Sequence, residues 1–169
     1  RSRPRLLSRL LEDRGALRLV VAPPGFGKAT LAFEYASVMF QFEHVFWLRG
    51  SSPCFLRDLD AGVLAETVLE ADEHAALMVV TDLPLLTDDR AEAFAEVVER
   101  LADANCEVIA TTTRADAPME LFGRRVVIGA AEMLVAREDL EEEPEGVTDR
   151  RPLGLAERIA ALRWGSATP

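Results

Sequence analysis

Ala22-Pro23-Pro24-Gly25-Phe26-Gly27-Lys28-Ala29-Thr30 is the stretch whose reading decides the fold of this chain. Two glycines flank an aromatic residue, and a lysine follows the second glycine. On the amino side, residues 17–22 are mostly apolar and include Val20 and Val21, which predicts a strand running into the loop. On the carboxyl side, Leu31, Tyr35 and Val38 recur at helical spacing, which predicts a helix over 28–40. A strand, a glycine turn and a helix in direct succession gather main-chain N–H groups at the positive end of a helix, an arrangement that suits an anion. Lys28 sharpens the point: of the 19 basic residues it is the only lysine, and all the others are arginine. A GC-rich coding bias explains the arginines but not the place of the lysine.

The stretch matches the phosphate-binding consensus GxxxxGK[ST] with two departures, Ala22 for the first glycine and Ala29 for the Ser/Thr. Gly25 and Gly27 permit a tight backbone approach, and Lys28 is placed to reach β- and γ-phosphate oxygens. The competing reading is an ordinary glycine turn with an exposed lysine; the strand–loop–helix context and the lone lysine favour the phosphate loop.

Working outward, the chain alternates strands and helices. Residues 44–49 and 76–82 read as strands, the second being a continuous apolar run suited to the middle of a parallel sheet. Leu56 to Leu69 reads as one helix. Thr87 or Asp88 is placed to cap another, with Ala91, Phe94, Val98 and Leu101 on its apolar face. Residues 106–112 and 125–129 complete the strands. Strands joined through helices imply right-handed crossovers and a parallel sheet covered on both faces. The expectation is an α/β P-loop NTPase fold, three layers α/β/α around a mainly parallel five-stranded sheet, with ligands beyond the carboxyl ends of the strands.

Composition bounds the rest. The 169 residues suffice for one domain, and 49% of them are hydrophobic, enough for a core. We read 1–143 as the P-loop domain and 144–169 as an extension or the start of a linker to a further domain, the chain opening on Arg1 as a piece of something longer. A formal charge of −10 disfavours a broad grip on nucleic acid. No apolar run reaches membrane-spanning length, so no membrane partner is expected. Cys54 and Cys106 are far apart and lack zinc-site spacing, which suits a reducing cytoplasm. His44 and His74 have no acid or nucleophile at meaningful spacing and read as structural.

Arg3-Pro4-Arg5-Leu6-Leu7 together with Leu19 to Leu31 resembles the NTPase domain of STAND regulators, above all the large LuxR-type transcriptional activators related to the maltose-regulon activator. In that family the loop reads Ala-Pro-Ala-Gly-Tyr-Gly-Lys-Thr-Thr-Leu, so Ala22 and Pro23 are family features. Val45 to Leu48 resembles its second strand and Met78 to Asp82 its Walker B strand. Ala110 to Arg114, with Pro118, resembles its sensor strand, and Arg124 to Leu140 the elements that close the domain.

The resemblance implies binding of ATP or ADP by Pro24, Gly25, Phe26, Gly27, Lys28, Ala29 and Thr30, with Arg114 near the γ-phosphate and Arg5 near the base or ribose. It also implies that the residue after the lysine and an acid ending the Walker B strand hold magnesium. Here Ala29 has no hydroxyl, and the acid pair has become Thr81-Asp82. Asp82 remains the single candidate for the metal and for the catalytic acid, although strand alternation would turn it away from the face of Thr81. Magnesium is therefore expected to be weakly held, and hydrolysis slow or absent. The leading expectation is a regulatory switch that binds adenine nucleotide, works with other domains of the same longer chain, and meets DNA only through a domain outside these residues. An active ATPase or small-molecule kinase is one alternative; a nucleotide-free interaction scaffold is the other.

Overall fold

The computed structural model describes residues 3–12, 17–114 and 125–134. The elements, in chain order, are α1 (Pro4–Leu11), β1 (Leu17–Val21), α2 (Lys28–Phe40), β2 (Val45–Arg49), α3 (Pro53–Asp60), α4 (Leu64–Ala71), β3 (Leu77–Thr81), α5 (Asp88–Asp103), β4 (Glu107–Thr112) and β5 (Arg125–Ile128). The chain turns helical again at 130–134. Among these residues no helix is long and apolar enough to cross a membrane. The expected boundary at 143/144, Pro118 and the start of the closing segment at Arg124 lie outside the described residues.

The five strands form one sheet in the order β2-β3-β4-β1-β5, and every neighbouring pair is parallel. The crossovers explain which helix lies where. From β1 the chain passes β4 and β3 to reach β2, carrying α2 with it. It then steps back through β3 to β4, carrying α3, α4 and α5. Right-handed crossovers running in opposite directions put their helices on opposite faces. Strand alternation shows the result. Leu17, Leu19, Met78, Val80, Val108 and Ala110 join the core beneath α3, α4 and α5. Val20, Leu77, Val79 and Ile109 join the core beneath α1 and α2. The three-layer α/β/α expectation is met.

Each layer is held by apolar burial. Phe94 on α5 is fully buried and meets Phe55 of α3 edge-on, with ring centroids 6.3 Å apart; burial of such a side chain contributes ~1.5–3 kcal/mol. The charged residue in β1, Arg18, is also fully buried. Its Nε donates to the Leu10 carbonyl at 2.6 Å, and its Nη1 lies 3.5 Å from Glu107 Oε2. Its guanidinium stacks on the ring of Tyr35, 5.1 Å from the centroid, while the Tyr35 hydroxyl donates to Glu107 Oε2 at 2.8 Å. One cation thus ties α1, α2 and β4 to β1.

Two local expectations are corrected. The single helix over Leu56 to Leu69 is two, α3 and α4. Gly62 sits at φ +71°, the Gly62 N–H bonds the Leu59 carbonyl at 3.1 Å, and the Val63 N–H bonds that of Asp58 at 3.0 Å. This paired C-terminal closure stops α3 whatever the apolar spacing beyond it. At the start of α5, Thr87 occupies the N-cap position without a side-chain capping bond, and Asp88 and Asp89 fill the first turn, where carboxylates suit the helix dipole.

Candidate functional site

The carboxyl ends of β1, β4 and β3 lie side by side, with Val21 opposite Thr112 and Val80 opposite Ala110. The loop after β1 leaves toward α2 and the loop after β3 toward α5, on opposite faces. In open α/β sheets ligands bind at such an edge, where the connections part. The stretch at 23–28 lies there, anchored by the Ala22 N–H, which donates to the Thr112 carbonyl at 3.2 Å.

The loop is compact. Gly25 at φ +85° and Gly27 at φ +79° both adopt left-handed conformations that a side chain would strain. Gly27 is also the N-cap of α2 and has no side chain with which to cap it. The first intrahelical bond runs from the Leu31 N–H to the Gly27 carbonyl at 3.0 Å. The amides of Lys28, Ala29 and Thr30 precede it, at the positive end of the helix.

Lys28 is only 8% exposed. Its Nζ donates to the Pro23 carbonyl at 3.1 Å, folding the side chain back over the loop. Burial lowers its pKa from the usual lysine value, an effect partly offset by the nearby Asp82 carboxylate. Pro24 and Ala29 are exposed, Thr30 is half-buried, and Phe26 packs against the core beneath α2.

Asp82 shows why strand alternation could not place it. β3 ends at Thr81, and Asp82 turns to φ +54°, so the period of two no longer applies. The Asp82 N–H donates to Thr111 Oγ1 at 3.1 Å, the Leu83 N–H to the Thr111 carbonyl at 2.8 Å, and Thr112 Oγ1 to the Leu83 carbonyl at 2.9 Å. The loop after β3 is thus stitched to the end of β4. Its exposed carboxylate lies 3.9 Å from Arg49 Nε and acts electrostatically on Lys28. Thr81 is buried, and its hydroxyl bonds the Leu48 carbonyl at 3.4 Å.

Three arginines lie on the elements around this edge. Arg5 is exposed on the first turn of α1. Arg3 reaches the loop, with Nη1 donating to the Phe26 carbonyl at 3.3 Å. Arg114 lies beyond β4, its N–H bonded to Thr112 Oγ1 at 3.3 Å, and it lines a small apolar recess with Leu17, Leu19, Leu83 and Phe94 on the α5 side. The histidines lie at the amino ends of β2 and β3, across the sheet from this edge, where His44 Nδ1 meets Asp72 Oδ2 at 2.7 Å. Among the described residues no three His, Cys, Asp or Glu side chains gather to hold a metal ion.

Sequence reasoning also missed Gly50. A Cβ there would stand 2.7 Å from Leu83 Cα and 2.9 Å from the Asp82 carbonyl oxygen. The Gly50 N–H donates to the Thr81 carbonyl at 2.7 Å. The glycine lets the loop after β2 pass against the backbone that carries Asp82. Its only signal in the sequence is its place directly after a strand.

No protein-family model matches the sequence, and no curated protein matches it. Solved structures do match its fold. The replication initiator DnaA bound to AMPPCP and single-stranded DNA is similar over 82% of this chain and 50% of its own, with a TM-score of 0.55 and 14% identity. AMPPCP-bound DnaA from Aquifex aeolicus is similar over 86% of this chain and 52% of its own, with a TM-score of 0.54 and 14% identity. Domain III of the Thermotoga maritima replication initiation protein DnaA is similar over 83% of this chain and 70% of its own, with a TM-score of 0.53 and 12% identity. The chain spans about half the length of the first two. What the likeness shows is the fold: a parallel five-stranded sheet with flanking helices, the α/β architecture of the P-loop NTPases.

Proposed function

We propose that this chain is a nucleotide-binding regulatory domain that holds ATP or ADP at the loop 23–28 and hydrolyses it slowly or not at all. The observation that carries the reading is the loop itself: two left-handed glycines, an uncapped helix start and a buried lysine meet directly after the carboxyl end of β1. In this reading the amides around Gly25, Phe26 and Gly27, with Pro24 shaping the turn, surround a β-phosphate. The Lys28 ammonium exchanges the Pro23 carbonyl for phosphate oxygens, and the first-turn amides of Ala29 and Thr30 complete the cradle. Arg114 and Arg5 are assigned to the γ-phosphate and to the base or ribose on the strength of the family resemblance. DnaA, which shares the fold, has been solved with AMPPCP bound, and this supports a nucleoside triphosphate as the ligand.

The donors available for magnesium account for the slow hydrolysis. Ala29 carries no side-chain oxygen, and Thr81 is buried with its hydroxyl turned to the Leu48 carbonyl at 3.4 Å. Among the described residues Asp82 is the carboxylate that acts on Lys28, and it lies 3.9 Å from Arg49 Nε. Magnesium, which neutralises phosphate charge when bound, would rest mainly on nucleotide oxygens and water. Resemblance to LuxR-type STAND regulators supports a switch within a longer chain, and the net charge of −10 fits DNA contact lying in another domain.

Calorimetric titration of ATP and of ADP, with and without magnesium, tests the reading on the natural chain and on Lys28→Ala. Binding that the substitution abolishes, with little phosphate release, is the expected result. Rapid magnesium-dependent turnover would establish the ATPase alternative instead, and an empty site for both nucleotides would establish the scaffold.

A further inference from the structure

We propose that Arg3 is a positioning residue for the loop, acting through the Phe26 carbonyl to aim the Gly27 amide; the inference rests on the polyphosphate reading given above. Arg3 Nη1 donates to the Phe26 oxygen at 3.3 Å. The same guanidinium covers Gly27, with Nη2 lying 2.7 Å from where a Cβ on that residue would stand. The Arg3 main-chain N–H meets Glu34 Oε2 of α2 at 3.4 Å. Residue 3 is thus tethered to the helix that the loop begins, while its side chain lies on the loop.

The peptide joining Phe26 to Gly27 is trans, and in a planar trans peptide the C=O and the N–H point in opposite directions. A donor that holds the Phe26 oxygen on the Arg3 side therefore aims the Gly27 N–H to the other side of the loop. If this peptide turned over, it would present a carbonyl oxygen where an anion needs an amide. Glycine does not prevent that by itself, because it adopts either sign of φ with nearly equal ease. The guanidinium supplies the constraint that glycine lacks. A side chain at 27 would also displace the guanidinium, so one glycine serves both the left-handed turn and the seat of Arg3.

The test uses the full chain, inorganic tripolyphosphate as the probe, and the variants Arg3→Ala, Arg3→Lys and Lys28→Ala. Affinity is read by calorimetry and the Gly27 amide by its nitrogen–proton NMR cross-peak, with urea unfolding as the control for folding. Arg3→Ala is expected to weaken tripolyphosphate about tenfold, the scale of one lost charge-assisted hydrogen bond. It should also move the Gly27 cross-peak in the ligand-free protein, while urea unfolding remains a single cooperative transition. Arg3→Lys, which restores a donor, should recover most of both signals. Undiminished binding by Arg3→Ala overturns this inference alone, as does weakened binding with an unmoved Gly27 amide, which would make Arg3 a general source of charge. Failure of the natural chain to bind tripolyphosphate, with Lys28→Ala no different, overturns the reading beneath it.

Discussion

The Lys28 ammonium donates to the carbonyl oxygen of Pro23 at 3.1 Å, closing the side chain over the loop that precedes it. A charge held this way is partly stripped of water, which is why its pKa lies below the usual lysine value. A group in this state costs the fold something that a ligand would repay. Lys28→Met should therefore unfold at an equal or higher urea concentration at neutral pH while losing polyphosphate binding. The pH dependence has a definite sign. Between its lowered native pKa and the ordinary lysine value the unfolded chain binds more protons at this position than the native one, so the contribution of Lys28 to stability rises with pH through that window. Unfolding midpoints at pH 7 and pH 10 should show a smaller rise in the Met variant.

Glu34 carries the opposite sign. Burial raises its pKa above the usual carboxylate value, against the lowering effects of the Arg3 amide and charge. Between the unfolded and folded pKa the native state binds the extra proton, so stability falls as pH rises through the interval. Glu34→Gln keeps an oxygen for the Arg3 amide and removes the half-buried charge. It should raise the unfolding midpoint at pH 7 and lose that advantage in acid below the ordinary glutamate pKa. Thermal melts at the two pH values check this.

Gly50→Ala places a methyl group 2.7 Å from Leu83 Cα, a backbone atom that can yield only by moving its loop. The expected cost is about 1–3 kcal/mol, the range for overpacking. Because the displaced segment carries Asp82, the Asp82 amide should lose its bond to Thr111 and exchange faster with solvent. Urea denaturation and amide hydrogen exchange measure the two effects.

Arg18→Ala removes the fully buried cation from Glu107, Tyr35 and the Leu10 carbonyl at once. Breaking one side of a buried pair typically costs ~3–5 kcal/mol, because the remaining charge stays in the interior. Adding Glu107→Gln should recover part of that loss. A double-mutant cycle from urea unfolding yields the coupling.

The local chemistry of the loop and its helix was legible in the residues. The helix expected over 28–40 is α2 with the same bounds, and each strand lies within its expected range with at most one residue trimmed from either end. These features depend on near neighbours: apolar spacing, glycine freedom and the termination of a strand by polar residues. The glycine–lysine pattern likewise marks one edge of the sheet.

Contacts between distant residues needed the folded chain. The order β2-β3-β4-β1-β5 puts β4 between the strand that carries the loop and the strand that carries Asp82, and no local pattern encodes that choice. Asp82 faces Lys28 and Arg49 because its left-handed turn is held by Thr111, which lies 29 residues away. Arg3 touches the loop because α1 packs beside α2 and brings the residue before it onto Phe26. Side-chain spacing specifies an element and its faces; which faces meet is decided by packing them against one another, where hydrogen bonds and steric limits link residues that the sequence keeps apart.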